Sequence, residues 1–235
     1  TDIQKGRFLS KGTFGAVYEG RWQHTGVAIK ELFEQSLPQK LQEEFNKEAS
    51  IMVSLRHPNV VWLYGITEKP NSLVMQFLAG GSLFQVLQSE ALLSWPLRIR
   101  MGLEISRGLS YLHHENVLHR DLKSLNVLLD EYQHAKLSDF GLSEVKTHTN
   151  SMSRGQSGGY GTVRWAAPEL ITGASKVYSK ACDVYSLSMT LWEIVSRQVP
   201  HAELTMDAQI MGQLFRGVYG VLPAETPLKF KEAIQ

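Results

Sequence analysis

A single cysteine, Cys182, occurs in the 235 residues. No internal disulfide can form, no cysteine-based zinc site can be built, and a reducing compartment suits the chain. Cys182 sits among apolar residues and is expected to be a small core filler. Net charge is also lacking. Lys and Arg number 24 against 23 Asp and Glu, leaving +1, so no field of one sign points to nucleic acid or a membrane surface. No apolar run approaches the ~20 residues of a membrane span. The opening TDIQKGRFLS lacks the charged and apolar regions of a signal peptide. Internal repeats are absent, and the nearest approach to low complexity is 147–161, rich in Ser, Gly and Thr. Together these absences predict a cytoplasmic setting with no nucleic-acid partner and no membrane segment.

What is present suffices for a sizeable core. The chain is 43% hydrophobic and 20% charged, enough for one domain in two lobes or two small domains. Its densest chemistry lies at 117–141, VLHRDLKSLNVLLDEYQHAKLSDFG. Residues 126–130 and 134–138 read as strands, with Glu131, Tyr132 and Gln133 turning the chain between them. That hairpin predicts Asp121, Lys123 and Asn126 facing Asp139 across a small gap. Three oxygen-bearing side chains beside one Lys suit Mg²⁺ and phosphate, because Mg²⁺ prefers oxygen ligands and shares them with substrate phosphates.

Upstream, RFLSKGTFGAVYEG at 7–20 reads as two strands around a Gly-containing turn, whose backbone N–H groups can cradle phosphate. No Gly-Lys-Ser/Thr follows, and a strand stands where a dinucleotide fingerprint needs a helix. On its own the segment reads equally as a plain hairpin turn. VAIK at 27–30 is a strand ending on Lys30, and a cation on an apolar strand needs a partner. Residues 38–55 have helical spacing that places Leu41, Phe45, Glu48 and Met52 on one face. Glu48 is the acidic residue on that stripe; Glu43 and Glu44 lie off it. Residues 60–67 and 71–77 read as two further strands. At Gly80-Gly81 the composition turns from strands to helices: 82–88, then 95–114 with Ile99, Leu103, Ile105, Leu109 and Leu112 as its apolar set, then a buried helix around 183–193.

Taken in order, these motifs resemble the eukaryotic protein kinases. HRDLKSLN at 119–126 resembles the catalytic loop and DFG at 139–141 the metal-binding motif. Residues 10–15 resemble the Gly-rich loop, with Ser10 in place of the first Gly and Gly12 and Gly15 kept. VAIK resembles the strand carrying the phosphate-binding Lys, and GTVRWAAPE at 161–169 the segment closing the activation loop. Asp183 matches the Asp that braces the catalytic loop.

The resemblance implies an α+β, two-lobed protein kinase domain over 1–235, with an N-lobe of antiparallel sheet and one helix at about 1–78, a hinge at 76–81 and a mainly helical C-lobe at about 82–235. It implies transfer of the ATP γ-phosphoryl group to protein Ser or Thr hydroxyls. Asp121 would accept the hydroxyl proton, Lys123 steady the γ-phosphate, and Lys30, paired with Glu48, hold the α- and β-phosphates. Asn126 and Asp139 would hold Mg²⁺. Leu9, Ser10, Gly12, Gly15, Val17, Ala28, Lys30, Met75, Gln76, Leu78 and Leu128 would receive ATP, with Met75 as gatekeeper and Gln76 and Leu78 offering backbone hydrogen bonds.

Lys123 together with Thr162, which joins the catalytic set, favours Ser/Thr over tyrosine specificity. LWE at 191–193 and WAAPE at 165–169 resemble the tyrosine-kinase-like branch, which includes receptor-interacting and mixed-lineage kinases. The implied partners are protein substrates and either an upstream activating kinase or self-association. Residues 142–162 carry eight hydroxyls: Ser143, Thr147, Thr149, Ser151, Ser153, Ser157, Tyr160 and Thr162. Arg120, expected buried or half-buried, would receive a phosphate placed there. The alternative is a pseudokinase, an ATP-binding signalling scaffold; a third reading is an unrelated structural α/β domain. One departure concerns the end. The family continues through further helices that include an Arg pairing with the Glu matching Glu169. Here the last Arg is Arg216, too early for that role, so the C-terminal helices are expected to be incomplete and Glu169 to lack that arginine.

Overall fold

Residues 3–12, 15–33, 38–141, 163–171, 177–215 and 220–234 are described by the computed structural model. Two compact units divide between Ala79 and Gly80, with Gly141 clustering with the first unit.

The first unit is built on an antiparallel sheet of β1 (Ile3–Lys11), β2 (Gly15–Trp22), β3 (Thr25–Leu32), β4 (Leu63–Glu68) and β5 (Asn71–Gln76), in the order β1-β2-β3-β5-β4. β2 and β3 join through Gln23 and His24, with φ of 47° and 65° between the paired Trp22 and Thr25, as a two-residue hairpin loop requires to match strand twist. Alternation along β3 sorts its faces. Val27 and Ile29 cluster with Val74 on one side, against Ile3, Trp22 and Tyr64; Ala28 and Lys30 belong to the other. Among the described residues this unit has one helix, α1 (Gln39–Ser54), which packs on β4 and buries Phe45, Ala49 and Met52, spaced at four and three residues as one helical face demands.

The second unit is mainly helical. It holds α2 (Leu83–Gln88), α3 (Trp95–His114), the hairpin of β6 (Val127–Leu129) and β7 (Ala135–Leu137), α4 (Pro168–Ile171), α5 (Lys180–Ser196), α6 (Asp207–Phe215) and α7 (Leu228–Ile234). α2 starts on a reciprocal cap, Ser82 accepting from the Gln85 amide while the Gln85 side chain accepts from Ser82 N, which satisfies two end groups of the helix. α3 buries Met101, Ile105, Leu109 and Leu112. Ile99 and Leu103, expected in that apolar set, are 43% and 48% exposed. Each stands two residues from Met101, about 200° around the helix axis at 3.6 residues per turn.

The Gly pair has a structural cause. Gly80 N donates to Leu129 O at 2.9 Å and Leu129 N to Gly81 O at 2.8 Å, so the chain runs beside β6. A side chain at Gly80 would place Cβ 2.5 Å from Asp130 O, a distance only glycine avoids. The architecture is therefore α+β, an antiparallel sheet with one helix followed by a mainly helical unit.

Candidate active site

The loop leading into β6 is shaped by hydrogen bonds within a few residues of sequence. Ser124–Asn126 form a 3-10 turn closed by Asn126 N donating to Lys123 O at 2.9 Å. Asn126 therefore ends a turn; it is not the first residue of a strand, as the apolar run suggested, and the strand begins at Val127. The turn returns the Asn126 side chain to Asp121. Nδ2 donates to Asp121 Oδ2 at 2.8 Å and to Asp121 O at 2.7 Å. Lys123 Nζ donates to the other carboxylate oxygen, Oδ1, at 2.9 Å. Both Asp121 and Lys123 are largely withdrawn from water, with 17% and 12% side-chain exposure, so the ion pair is stronger than a surface one. Asp121 thus presents a carboxylate held by one cation and one amide, while Asn126 keeps its carbonyl oxygen Oδ1 for another partner.

β6 and β7 pair Val127 with Leu137, and Ser138 extends the pairing: its N and Oγ both donate to Asn126 O, at 2.9 and 3.0 Å. Asp139 follows immediately with φ 59°, in the left-handed region that non-glycine residues enter at some cost. Phe140 is buried, its ring edge-on to His119 with centroids 6.2 Å apart. Arg120 also has positive φ, at 65°. The turn there points two successive amides one way: His119 N and Arg120 N each donate to the Asp183 carboxylate at 2.9 Å. Asp183, wholly buried on α5, accepts as well from His113 Nε2 at 2.8 Å and Tyr178 OH at 2.7 Å. Burial and the neighbouring Asp183 charge raise the Tyr178 phenol, keeping it protonated and donating.

In the first unit, Lys30 is 6% exposed, opposite Val17 on β2 and Leu73 on β5. Glu48 is half-buried on the α1 face that carries Phe45 and Met52. Leu9 stands at a register shift between Phe8 and Ser10 and is 36% exposed. Gly12 N donates to Gly15 O at 2.9 Å, closing the β1–β2 connection. The two glycines differ. A Cβ on Gly15 would lie 2.3 Å from Glu31 O of β3, so the sheet itself demands glycine there. Among the described residues a Cβ on Gly12 would meet Gly15 O at 3.7 Å, an ordinary contact, so no described atom demands glycine at that position. Ala28 faces Met75 across the β3–β5 pair. Gln76 N donates to Trp62 O at 2.9 Å. The backbone hydrogen bond expected from Gln76 to a ligand therefore falls to its carbonyl, because its N–H is committed to Trp62.

Residues 3–235 match the family of protein tyrosine and serine/threonine kinases. The chain belongs to the protein kinase family. Among its relatives, the probable serine/threonine-protein kinase drkD of Dictyostelium discoideum is 37% identical over 98% of this chain and 18% of its own length. The serine/threonine-protein kinase STY46 of Arabidopsis thaliana is 35% identical over 99% of this chain and 40% of its own. The probable serine/threonine-protein kinase SIS8 of the same plant is 39% identical over 90% of this chain and 20% of its own. The kinase domain thus spans less than half the length of each of these serine/threonine kinase relatives.

Several expectations need correction within this kinase domain. Arg120 is exposed rather than buried, because its backbone, not its guanidinium, meets Asp183. Cys182, expected only to fill the core, is buried and also donates its thiol to Glu169 at 3.4 Å. Thr162 and the other hydroxyls of 142–162 lie outside the described residues, as does Arg216. Among the described residues no cluster of three or more His, Cys, Asp or Glu could hold a metal alone, and no helix is long and apolar enough to cross a membrane.

Two groups went unrecognised in the sequence. Arg164 is buried, its Nη1 donating to Pro200 O at 2.8 Å and to His201 O, and its Nη2 to Leu204 O at 2.7 Å. Glu193 is 1% exposed and accepts from Ser124 Oγ at 2.6 Å, Ser124 N at 3.3 Å and Trp165 Nε1 at 2.6 Å. Burial pushes its carboxyl up to about 7, against the downward pull of the Ser124 and Trp165 donors and the Lys123 charge. The spacing of Asp183, Ser186 and Glu193 along α5 was a readable signal: three and ten residues apart, they share one face of a buried helix.

Proposed function

We propose that this kinase domain transfers the γ-phosphoryl group of ATP to Ser or Thr hydroxyls of protein substrates. The observation that carries the reading is the Asp121 carboxylate, oriented by Lys123 and Asn126 inside the HRDLKSLN loop. Asp121 accepts the proton of the attacking hydroxyl and aims its oxygen. Lys123, already beside that carboxylate, steadies the phosphoryl group as it moves. Lys30 holds the α- and β-phosphates, with Glu48 as its positioning partner. The unconstrained position of Gly12 suits a backbone that lets phosphate oxygens come close. Leu9, Val17, Ala28 and Met75 of the first unit offer apolar surface to a base, and the Gln76 and Leu78 backbones offer hydrogen bonds to its polar edge.

The donor set fits Mg²⁺: the Asn126 carbonyl oxygen and the Asp139 carboxylate are hard oxygen ligands, and two protein ligands suffice for an ion that keeps waters and phosphate oxygens. Bound there, the ion supplies neutralisation of charge on the phosphates. The remaining acceleration comes from orientation and preorganised charge.

Lys123 with Thr162, and relatives named as serine/threonine kinases, support Ser/Thr specificity; the WAAPE and LWE runs support the tyrosine-kinase-like branch. Phosphorylation between Ser143 and Tyr160, by an upstream kinase or a second copy, switches the activity, with the exposed Arg120 guanidinium as the receiving cation. The free Cys182 thiol suits the reducing cytoplasm. Incubation with labelled ATP, Mg²⁺ and a protein substrate tests the central claim: phosphoserine or phosphothreonine is expected from wild type and none from Asp121→Asn. ATP binding without turnover in wild type replaces the enzyme with the scaffold reading. Phosphatase treatment that leaves the rate unchanged removes the switch.

A further inference from the structure

Ser124 is the pivot of the catalytic loop. On one side its peptide follows Lys123, whose Nζ pairs with Asp121; on the other it opens the 3-10 turn that carries Asn126 back to the same carboxylate. Whatever fixes Ser124 fixes the direction in which both Lys123 and Asn126 leave the backbone. Ser124 is wholly buried, and both its polar groups end on one residue, Glu193. The second ligand of that carboxylate comes from far along the chain. Trp165, in the 3-10 turn Val163–Trp165, donates its indole N–H to Glu193 Oε2, and its carbonyl accepts from Ser186 Oγ of the same helix at 2.8 Å. Three donors therefore converge on two oxygens: Oε1 takes the Ser124 hydroxyl, and Oε2 takes the Ser124 amide and the indole.

We propose that Glu193 is a positioning residue for phosphoryl transfer, clamping the catalytic loop at Ser124 to the segment that ends at Trp165. This deepens the kinase reading and rests on it. The clamp places no atom on the substrate. It acts through Ser124 on the aim of Lys123, Asn126 and hence Asp121, so its loss lowers kcat and leaves the affinity for ATP nearly untouched. It also couples Trp165 to the loop: a displacement of Trp165 is felt at Ser124 through one shared carboxylate.

The arrangement makes a sharp distinction between two replacements. Gln can put its carbonyl oxygen where Oε2 accepts from the Ser124 amide and the indole, and its NH₂ can donate to Ser124 Oγ, since a hydroxyl both donates and accepts. Leu fills similar space with no acceptor. The experiment measures kcat, KM for ATP and amide hydrogen exchange at Ser124 in wild type, Glu193→Gln and Glu193→Leu. The expected result is about a 100-fold fall in kcat for Glu193→Leu, the scale of a displaced reacting group, with KM for ATP within about threefold. Faster exchange at Ser124 accompanies that fall, and Glu193→Gln restores both properties to within about fivefold of wild type.

A folded Glu193→Leu with wild-type kcat and wild-type exchange overturns the proposal, as does a Glu193→Gln no better than Glu193→Leu. If Glu193→Leu does not fold, Ser124→Ala decides: about tenfold lower kcat at unchanged KM for ATP supports the clamp, by removing one of its three bonds, and wild-type kcat defeats it. A wild-type domain that binds ATP without turnover defeats the kinase reading alone, because hydrogen exchange at Ser124 still reports whether Glu193 holds the loop.

Discussion

The side-chain amide of Asn126 donates twice to Asp121, to its carboxylate at 2.8 Å and to its carbonyl at 2.7 Å. The residue proposed for metal binding is thereby also the residue that orients the proposed base. Asp121→Asn keeps the size of the side chain and breaks this arrangement. The new amide has one acceptor oxygen, while its NH₂ must face either Lys123 Nζ or Asn126 Nδ2, which are themselves donors. Phosphoryl transfer is expected to fall about 1,000-fold, the scale of a lost general base. The domain should remain folded, destabilised by about 1–2 kcal/mol for the unmatched donor. Labelled-ATP turnover and urea unfolding of the same preparation check both halves, and wild-type turnover rejects Asp121 as the base.

Lys30→Met separates activity from stability in the opposite sense. Lys30 is almost fully buried in the sheet, where a charge is costly to hold. Methionine has a similar length and no charge, and because Glu48, the proposed partner of Lys30, is only half-buried and can turn to water, unfolding in urea should occur near the wild-type concentration. Activity should fall about 100-fold or more, as expected for a lost contact to transferring phosphates. A variant that is clearly destabilised yet active at the wild-type rate contradicts the assignment.

What was legible in the sequence was what is local. The β-hairpin of 126–138, the β2–β3 hairpin and the α1 face all follow from spacings of two to four residues, and HRDLKSLN holds Asp121, Lys123 and Asn126 within six positions. What escaped was built from distance. Ser124 and Trp165 reach Glu193 across 69 and 28 residues, and the spacing that sets Glu193 on the face of Asp183 and Ser186 does not say which residues donate to it. The Gln76 N–H went the same way: its commitment to Trp62 depends on an approach of chain segments that no local pattern encodes. Glu169 shows the limit of matching by motif. A thiol whose apolar neighbours suggested only packing serves Glu169 as a donor.

Arg164 offers a test of a buried fork. Its guanidinium supplies the backbone carbonyls of Pro200, His201 and Leu204; His201 O also accepts from Leu204 N at 3.0 Å, so the carbonyls of Pro200 and Leu204 depend on the arginine most. Arg164→Ala should cost about 2 kcal/mol or more, because the carbonyls of Pro200 and Leu204 lose a donor and each retains its desolvation penalty. Arg164→Lys should recover only part of that, since an ammonium is a point charge and lacks the planar fork that reaches three carbonyls at once. Urea unfolding of the three proteins at one pH checks the order, wild type above Lys above Ala. A fully stable Lys variant shows that charge, not fork geometry, is what the loop needs.

Glu193 makes the domain's stability fall as pH rises through the neutral range. Its carboxyl is raised from 4.5 to about 7 on folding, chiefly by burial, so the folded state holds a proton that the unfolded state releases. Below pH 4.5 both states are protonated and the residue contributes its full stability. Between 4.5 and about 7 the unfolded state alone ionises and is progressively favoured; above about 7 both are ionised and the loss is complete. At 1.36 kcal/mol per pH unit the total is about 3 kcal/mol. Other carboxylates titrate in the lower part of this window, so the measurement must be a difference: urea unfolding from pH 5 to pH 8 in wild type and in Glu193→Gln, which cannot ionise. Wild type should lose ground to Glu193→Gln steadily up to about pH 7 and run parallel to it above about pH 8. A difference that stays flat, or that grows in favour of wild type with pH, means the carboxyl is ionised throughout, with the Ser124, Trp165 and Lys123 groups outweighing burial.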